Sequence, residues 1–157
     1  MEIKTNAMRI IERLKLGYIP HSVDCDEALS GVEMAKRLGE DPARVFKTLV
    51  TVGKSKRNYV FMIPVAEELD LKKAAAAAGE KTIEMIKSKE LLPLTGYVHG
   101  GCSPIGMKKQ FATFVHVTAT DFERIIFSAG KIGYQVEMSA DDLKKAVNFE
   151  LADIICK

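Results

Sequence analysis

A chain of 157 residues, 47% apolar and 28% charged, carries enough apolar surface for one compact unit, expected to run as a single domain over residues 1–157. Its net charge of +2 argues against a generic nucleic-acid coat but leaves room for a local basic patch. No segment is long enough to span a bilayer, residues 1–6 show no apolar signal region, and Cys25, Cys102 and Cys156 are odd in number and far apart, the pattern of free thiols in a cytoplasmic protein.

The first helix is expected over 6–16, with Ile10, Ile11 and Leu14 inward and Gly17 ending it. A short strand over 18–23 comes next. Ser30 and Glu33 have capping-box spacing and open a helix that runs through Leu38. Asp41 and Pro42 start one more helical turn before an apolar strand over 45–52. Residues 53–58 read as a hairpin turn, with the return strand over 59–64. The five alanines at 74–78 form a helix interior that Asp70 caps and Gly79 ends. A strand near 82–85, a helical turn near 87–92 and an irregular glycine-rich stretch over 96–106 come after it. The last third reads as strands over 113–117, 125–129 and 134–138, with a tight turn at 130–133, then a helix over 140–147 capped by Ser139. Hairpins with interspersed helices predict an α/β (α+β) fold: a mixed, mostly antiparallel sheet with helices around it, without the βαβαβ rhythm of a doubly wound sheet.

Lys47 stands out because it interrupts the strand Val45-Phe46-Lys47-Thr48-Leu49-Val50-Thr51-Val52. Period-two alternation puts it on one face with Val45 and Leu49, while Phe46, Val50 and Val52 share the other. Both faces are largely apolar, and desolvating an ammonium is costly. A lysine there suits a pocket that handles negative charge or a developing oxyanion. It equally suits an edge-strand lysine that blocks aggregation.

The loop Gly100-Gly101-Cys102-Ser103-Pro104-Ile105-Gly106 can bring backbone N–H groups close to a ligand, as an oxyanion hole or anion nest; a plain connector has the same composition. It lacks the glycine-lysine-serine ending of a phosphate P-loop. Cys102, three residues after His99, raises a cysteine-nucleophile reading, which needs a base in hydrogen-bond reach that sequence proximity does not supply. His21, His99, His116, Cys25 and Cys102 show no paired zinc spacing, so no metal and no cofactor are expected. Lys54, Lys56 and Arg57 in the hairpin turn, with Lys108 and Lys109 after the glycine loop, are candidate phosphate contacts.

In order along the chain, Val45-Phe46-Lys47-Thr48-Leu49, Pro64-Val65 with Leu69-Asp70-Leu71-Lys72-Lys73, Thr95-Gly96-Tyr97-Val98-His99 running into the glycine loop, and Phe127-Ser128-Ala129-Gly130-Lys131 resemble the YbaK/EbsC family. These are free-standing aminoacyl-tRNA deacylases similar to the editing domain of bacterial prolyl-tRNA synthetases. The resemblance covers about residues 18–153. It implies a YbaK-like sheet or partial barrel surrounded by helices, and hydrolysis of misacylated tRNA, chiefly cysteinyl-tRNA on a proline tRNA. It implies no metal, an essential lysine at Lys47, and a backbone-lined pocket from Gly101-Cys102-Ser103-Pro104. In cysteine-specific members the substrate's own thiol attacks its ester. Substrate-binding positions then fall on His21, Ser30, Gly100, Gly101, Cys102, Ser103, Pro104, Ser128, Gly130 and Gln135. His21 and Ser30 replace residues often aromatic in the family, and Gln135 replaces an acidic one. Misacylated tRNA is the implied partner, with prolyl-tRNA synthetase a further candidate. Two other readings remain beside this one: a non-catalytic tRNA- or RNA-binding module of the same fold, and a Cys102-dependent hydrolase of small esters.

Overall fold

The computed structural model describes residues 4–25 and 27–156. Helix α1 (Asn6–Arg13) is capped by Thr5, whose hydroxyl accepts from the Met8 N–H, and buries Ala7, Met8 and Ile11. It ends a turn earlier than the sequence suggests: Leu14 is its C-cap, Lys15 turns the chain at φ 60°, and Leu14 is exposed rather than inward. Strand β1 (Ile19–Ser22) leads to α2 (Gly31–Leu38), where Ser30 accepts from the Glu33 N–H at 3.1 Å and Gly39 closes the helix in the left-handed region. A 3-10 turn, Pro42–Arg44, with Asp41 accepting from the Ala43 N–H, feeds β2 (Phe46–Gly53).

Strand β3 (Asn58–Pro64) returns antiparallel to β2, with Lys47 opposite Ile63. Asp70 caps α3 (Leu71–Ala78) through the Lys72 and Lys73 N–H groups, and Gly79 ends it. Next come β4 (Ile83–Met85), α4 (Ser88–Thr95) and β5 (Ala112–His116). Strands β6 (Ile125–Lys131) and β7 (Tyr134–Met138), the Ser139-capped α5 (Ala140–Ala146) and β8 (Phe149–Ala152) complete the order. No described helix is long and apolar enough to cross a membrane.

The strands make two sheets. One is antiparallel, in the order β1-β7-β6; the other is mixed, β4-β2-β3-β5-β8, with β3–β5 and β5–β8 parallel. Four of the six pairings are antiparallel, as expected; the sheets do not close into a barrel among the described residues. Strand β8 and the two parallel pairings are additions to the sequence reading.

Alternation along β3 explains the layering. Tyr59, Phe61 and Ile63 face a cluster containing Ala74, Ala75, Ile83 and Phe114, so the alanine run lets α3 lie close to the sheet. Met62 faces a second cluster with Phe46, Val115, Phe127, Val136, Met138 and Leu143, where the two sheets and α1 meet. Each fully buried side chain of this kind is worth roughly 1.5–3 kcal/mol of transfer free energy.

The outer edge of β2 is only partly covered. Strand β4 pairs with it from Thr51 to Gly53, and an isolated parallel bridge joins Val45 to Ile126 at its start. Between those two points no described strand borders β2 on that side.

Candidate active site

A cavity of about 310 Å³ opens on that uncovered stretch. Val45 and residues 46–49 of β2 form one wall, Leu29, Ser30, Gly31 and Met34 around the start of α2 another, and Val65 closes it. Leu91, His99, Gly100 and Cys102 face them, with Ser128 and Gln135 contributed by the other sheet. Among the described residues the wall holds no carboxylate and one formal cation, Lys47.

Lys47 is half-buried, and among the described residues it makes no ion pair within 4.0 Å. Burial pulls its pKa below the ordinary lysine value, against the weaker opposing pull of Glu68 and Glu67. A desolvated, unpaired ammonium is held ready for an anion or a developing negative charge.

The glycine loop divides into lining and support. Gly100 has φ +84°, and a Cβ there would collide with Ala28, so only glycine brings this backbone to the wall. Gly101 does not line the cavity: its N–H donates to the Val98 carbonyl at 2.9 Å, and a Cβ would meet the Ile132 nitrogen at 3.0 Å. Ser103 and Pro104 are buried behind the wall, and the Ser103 hydroxyl accepts from the Ile105 N–H at 3.2 Å. The pocket-lining share of the Gly101–Pro104 segment therefore falls to Cys102. Its thiol is pushed up to about 12 by burial, which a hydrogen bond with Thr95 opposes only weakly. A thiol so held is neutral at ordinary pH and a poor nucleophile. His99 is exposed at the rim.

Ser128 and Gln135 reach the cavity. Gln135 is 6% exposed, and among the described residues its side-chain amide makes no hydrogen bond. Gly130 serves packing instead: it sits at φ +94° after a register shift in β6, where a Cβ would lie 2.7 Å from the Tyr97 ring. His21 is the cross-strand partner of Gln135, yet its ring is turned to Glu137, with Nε2 donating to the carboxylate at 2.7 Å.

Glu137 anchors a network that the sequence reading did not identify. It accepts from Arg124 Nε at 3.0 Å and pairs with Arg44 at 3.3 Å, while Arg44 also binds Glu40 and the Arg124 carbonyl. Burial pushes the Glu137 carboxyl up, but hydrogen bonds from His21 and Arg124 and the charge of Arg44 outweigh it and hold it below the usual carboxylate range. The available signal was the alternation of Gln135 and Glu137 with Val136 and Met138 in β7.

The basic candidates lie apart from the cavity. Lys54, Lys56 and Arg57 are exposed on the β2–β3 turn, and seven strand residues from Lys47 to Lys54 span about 23 Å. That turn is pinned by Glu80, which binds the Ser55 hydroxyl and N–H and the Tyr59 hydroxyl. Lys108 and Lys109 are exposed beyond the glycine loop, with the Lys108 stem against Gly96. His116 is buried, and its Nδ1 accepts from the Ile154 N–H. Among the described residues no three His, Cys, Asp or Glu side chains are grouped to hold a metal ion.

Residues 26–146 match the model of the aminoacyl-tRNA editing domain. The chain is 46% identical, over 98% of its own length and 94% of the relative's, to an Enterococcus faecalis (strain ATCC 700802 / V583) protein provisionally named Cys-tRNA(Pro)/Cys-tRNA(Cys) deacylase EbsC. Among solved structures it superposes with a TM-score of 0.85 on a provisionally assigned trans-editing enzyme for prolyl tRNA synthetase, 19% identical, covering 99% of this chain and 100% of that one. It superposes at 0.84 on a hypothetical protein, 21% identical, covering 94% and 97% respectively. Those two likenesses establish the fold.

Proposed function

The chain belongs to the aminoacyl-tRNA editing domain family, and from that premise we propose that it is a trans-editing deacylase that cleaves the ester of a misacylated tRNA, with cysteinyl-tRNA on a proline tRNA as its principal substrate. The observation that carries the reading is the half-buried ammonium of Lys47, which among the described residues has no ion pair and shares the cavity wall with no carboxylate.

Lys47 binds the terminal phosphate or the ester carbonyl as a cation. The nucleophile belongs to the substrate. A cysteinyl thiol tethered to its own carbonyl through two carbons reacts at high effective concentration. The S–C bond forms, the C–O bond to the ribose breaks, and the thiol proton ends on the freed ribose hydroxyl. Water then opens the four-membered thiolactone. The protein's share is positioning and charge stabilisation, which suits a site with a neutral Cys102 thiol. Gly100, Cys102, Ser128, Ser30 and Gln135 shape the pocket around the aminoacyl group. His21, Gly101, Ser103, Pro104 and Gly130 support it from behind. Lys54, Lys56, Arg57, Lys108 and Lys109 meet phosphates away from the ester, and prolyl-tRNA synthetase is the partner that would deliver the tRNA.

A panel of tRNAs charged with cysteine, alanine, serine and proline, incubated with the purified protein, tests this. Cysteinyl-tRNA should be released far faster than seryl-tRNA, because a hydroxyl is the poorer internal nucleophile. Equal rates on the two would exclude thiol self-attack, and no release from any would overturn the reading.

A further inference from the structure

Successive side chains of a strand point to opposite faces, yet five consecutive residues, 45–49, line the cavity. The arrangement is accounted for if the cavity lies against the edge of β2, so that backbone faces it. The hydrogen-bond parity of the strand says which groups those are. The Val45 carbonyl accepts from Val65 and the Gly53 N–H donates to Arg57, so odd-numbered residues turn their N–H and C=O toward β3. The Val50 carbonyl accepts from Ile86 and the Lys54 N–H donates to Thr82, so even-numbered residues turn theirs to the outer edge.

At the start of β2 the parallel bridge to Ile126 must use the groups flanking Val45, namely the Arg44 carbonyl and the Phe46 N–H, because Val45 itself is committed to β3. What remains on the open edge between Ile126 and Ile86 is the Phe46 carbonyl, both main-chain groups of Thr48 and the Val50 N–H, of which Thr48 alone offers a donor and an acceptor from one residue. The Thr48 hydroxyl is also buried, with no hydrogen-bond partner among the described residues. Unpaired strand edges are templates for another extended chain.

An aminoacyl ester carries a nitrogen and a carbonyl on one carbon, as a strand residue does. We propose that the main chain of Thr48 receives the aminoacyl group as a single added strand residue: its carbonyl accepts from the substrate's α-amino group, and its N–H donates to the ester carbonyl and to the oxyanion formed there. This rests on the deacylase reading above and adds to it the group that recognises the amino-acid backbone. It accounts for a wall whose described residues offer no carboxylate to an ammonium: a carbonyl oxygen takes that role. It also supplies an oxyanion donor in place of the Gly101 N–H, which is bound to Val98.

The direct test replaces Thr48 by its α-hydroxy acid analogue through nonsense suppression, which turns the N–H into an ester oxygen and keeps the side chain and the Thr48 carbonyl. kcat/KM on cysteinyl-tRNA should fall on the order of 10²-fold, as for loss of an oxyanion donor, with circular dichroism and melting close to wild type. A second arm uses wild-type protein with 3-mercaptopropionyl-tRNA, which keeps the thiol and lacks the amino group. Its enzymatic acceleration over its own uncatalysed rate should be about tenfold or more smaller than that of cysteinyl-tRNA, the order expected for one lost hydrogen bond to a charged group; this arm decides if the ester-substituted chain does not fold. Wild-type cleavage with an unaffected backbone-ester variant, or equal acceleration of both substrates, overturns this inference alone. No cleavage of any aminoacyl-tRNA by the wild type overturns the deacylase reading and this inference with it.

Discussion

Lys47 on β2 and Glu137 on β7 are both withdrawn from water, and the strands around them treat the two charges in opposite ways. Glu137, two residues from the cavity-lining Gln135, is met by His21, Arg124 and Arg44, and its carboxylate form is favoured despite burial. Lys47 has partial burial with, among the described residues, no ion pair and only the weaker distant pull of Glu68 and Glu67, and its ammonium form is disfavoured. A buried charge with its hydrogen bonds satisfied fixes the β1–β7 pairing and the entry into β2. A charge left unsatisfied is a cost to the fold, and it makes sense only where a ligand supplies the missing partner. The contrast sorts the polar residues near the cavity into those that build the wall and those that face the substrate.

The comparison breaks first at Lys47. Lys47→Ala should lower kcat/KM on cysteinyl-tRNA by about 10²–10³-fold, the scale of a removed oxyanion stabiliser. Its melting temperature should stay level or rise, because no ion pair is lost and an ammonium no longer has to be desolvated. Lys47→Met, which keeps the stem's packing, should behave the same way. A folded Lys47→Ala protein with near-normal turnover would return this residue to the edge-strand role.

How much of this was legible in the sequence differs between the two walls. Lys47 could be singled out because a lone cation inside an apolar alternation is a local signal. Ser30, Gly100, Ser128 and Gln135 came from the resemblance, and they do reach the cavity. The Glu137 network was out of reach: Arg44 lies 93 residues from Glu137 and is brought to it by the bridge between β2 and β6, a pairing with no local pattern. For the same reason the antiparallel hairpins were readable, since a turn fixes each pair, and the parallel neighbours β3, β5 and β8 were not. Gly101, Ser103 and Pro104 show the limit of composition: loop chemistry marks a special backbone but not which of its groups are already bound.

Glu137 gives the second test, on stability. Glu137→Gln keeps the shape and leaves Arg44 and Arg124 without their shared anion, and the loss should be about 2–3 kcal/mol, below the full cost of breaking a buried pair because Arg124 is partly exposed. The pH dependence has a definite sign. The folded-state pKa of Glu137 is lowered, so its contribution is complete above the unfolded carboxylate value and is lost as pH falls through the folded value. Urea unfolding of wild type should therefore weaken more steeply than that of Glu137→Gln as pH drops below about 4.3, the ordinary glutamate value. Parallel curves would show that the network does not hold Glu137 as described.

Cys102 should give the smallest effect, and it sharpens the contrast because it is the cavity residue that the sequence offered as a protein nucleophile. Its Sγ is buried beside Val50, Val60 and Tyr97, and its pKa of about 12 leaves a negligible thiolate fraction at neutral pH. Cys102→Ala removes one heavy atom from that packing and should cost about 1 kcal/mol of stability, similar to deleting a buried methyl group. Deacylation of cysteinyl-tRNA should stay within a few-fold of wild type, since neither the cation nor the substrate thiol is touched. Alkylation should obey the same logic: the exposed Cys156 and the half-exposed Cys25 should react with iodoacetamide well before Cys102. If Cys102→Ala instead lost activity to the degree expected for Lys47→Ala while remaining folded, the attack would come from the protein. The unpaired lysine would then be a partner to that thiolate rather than to the substrate.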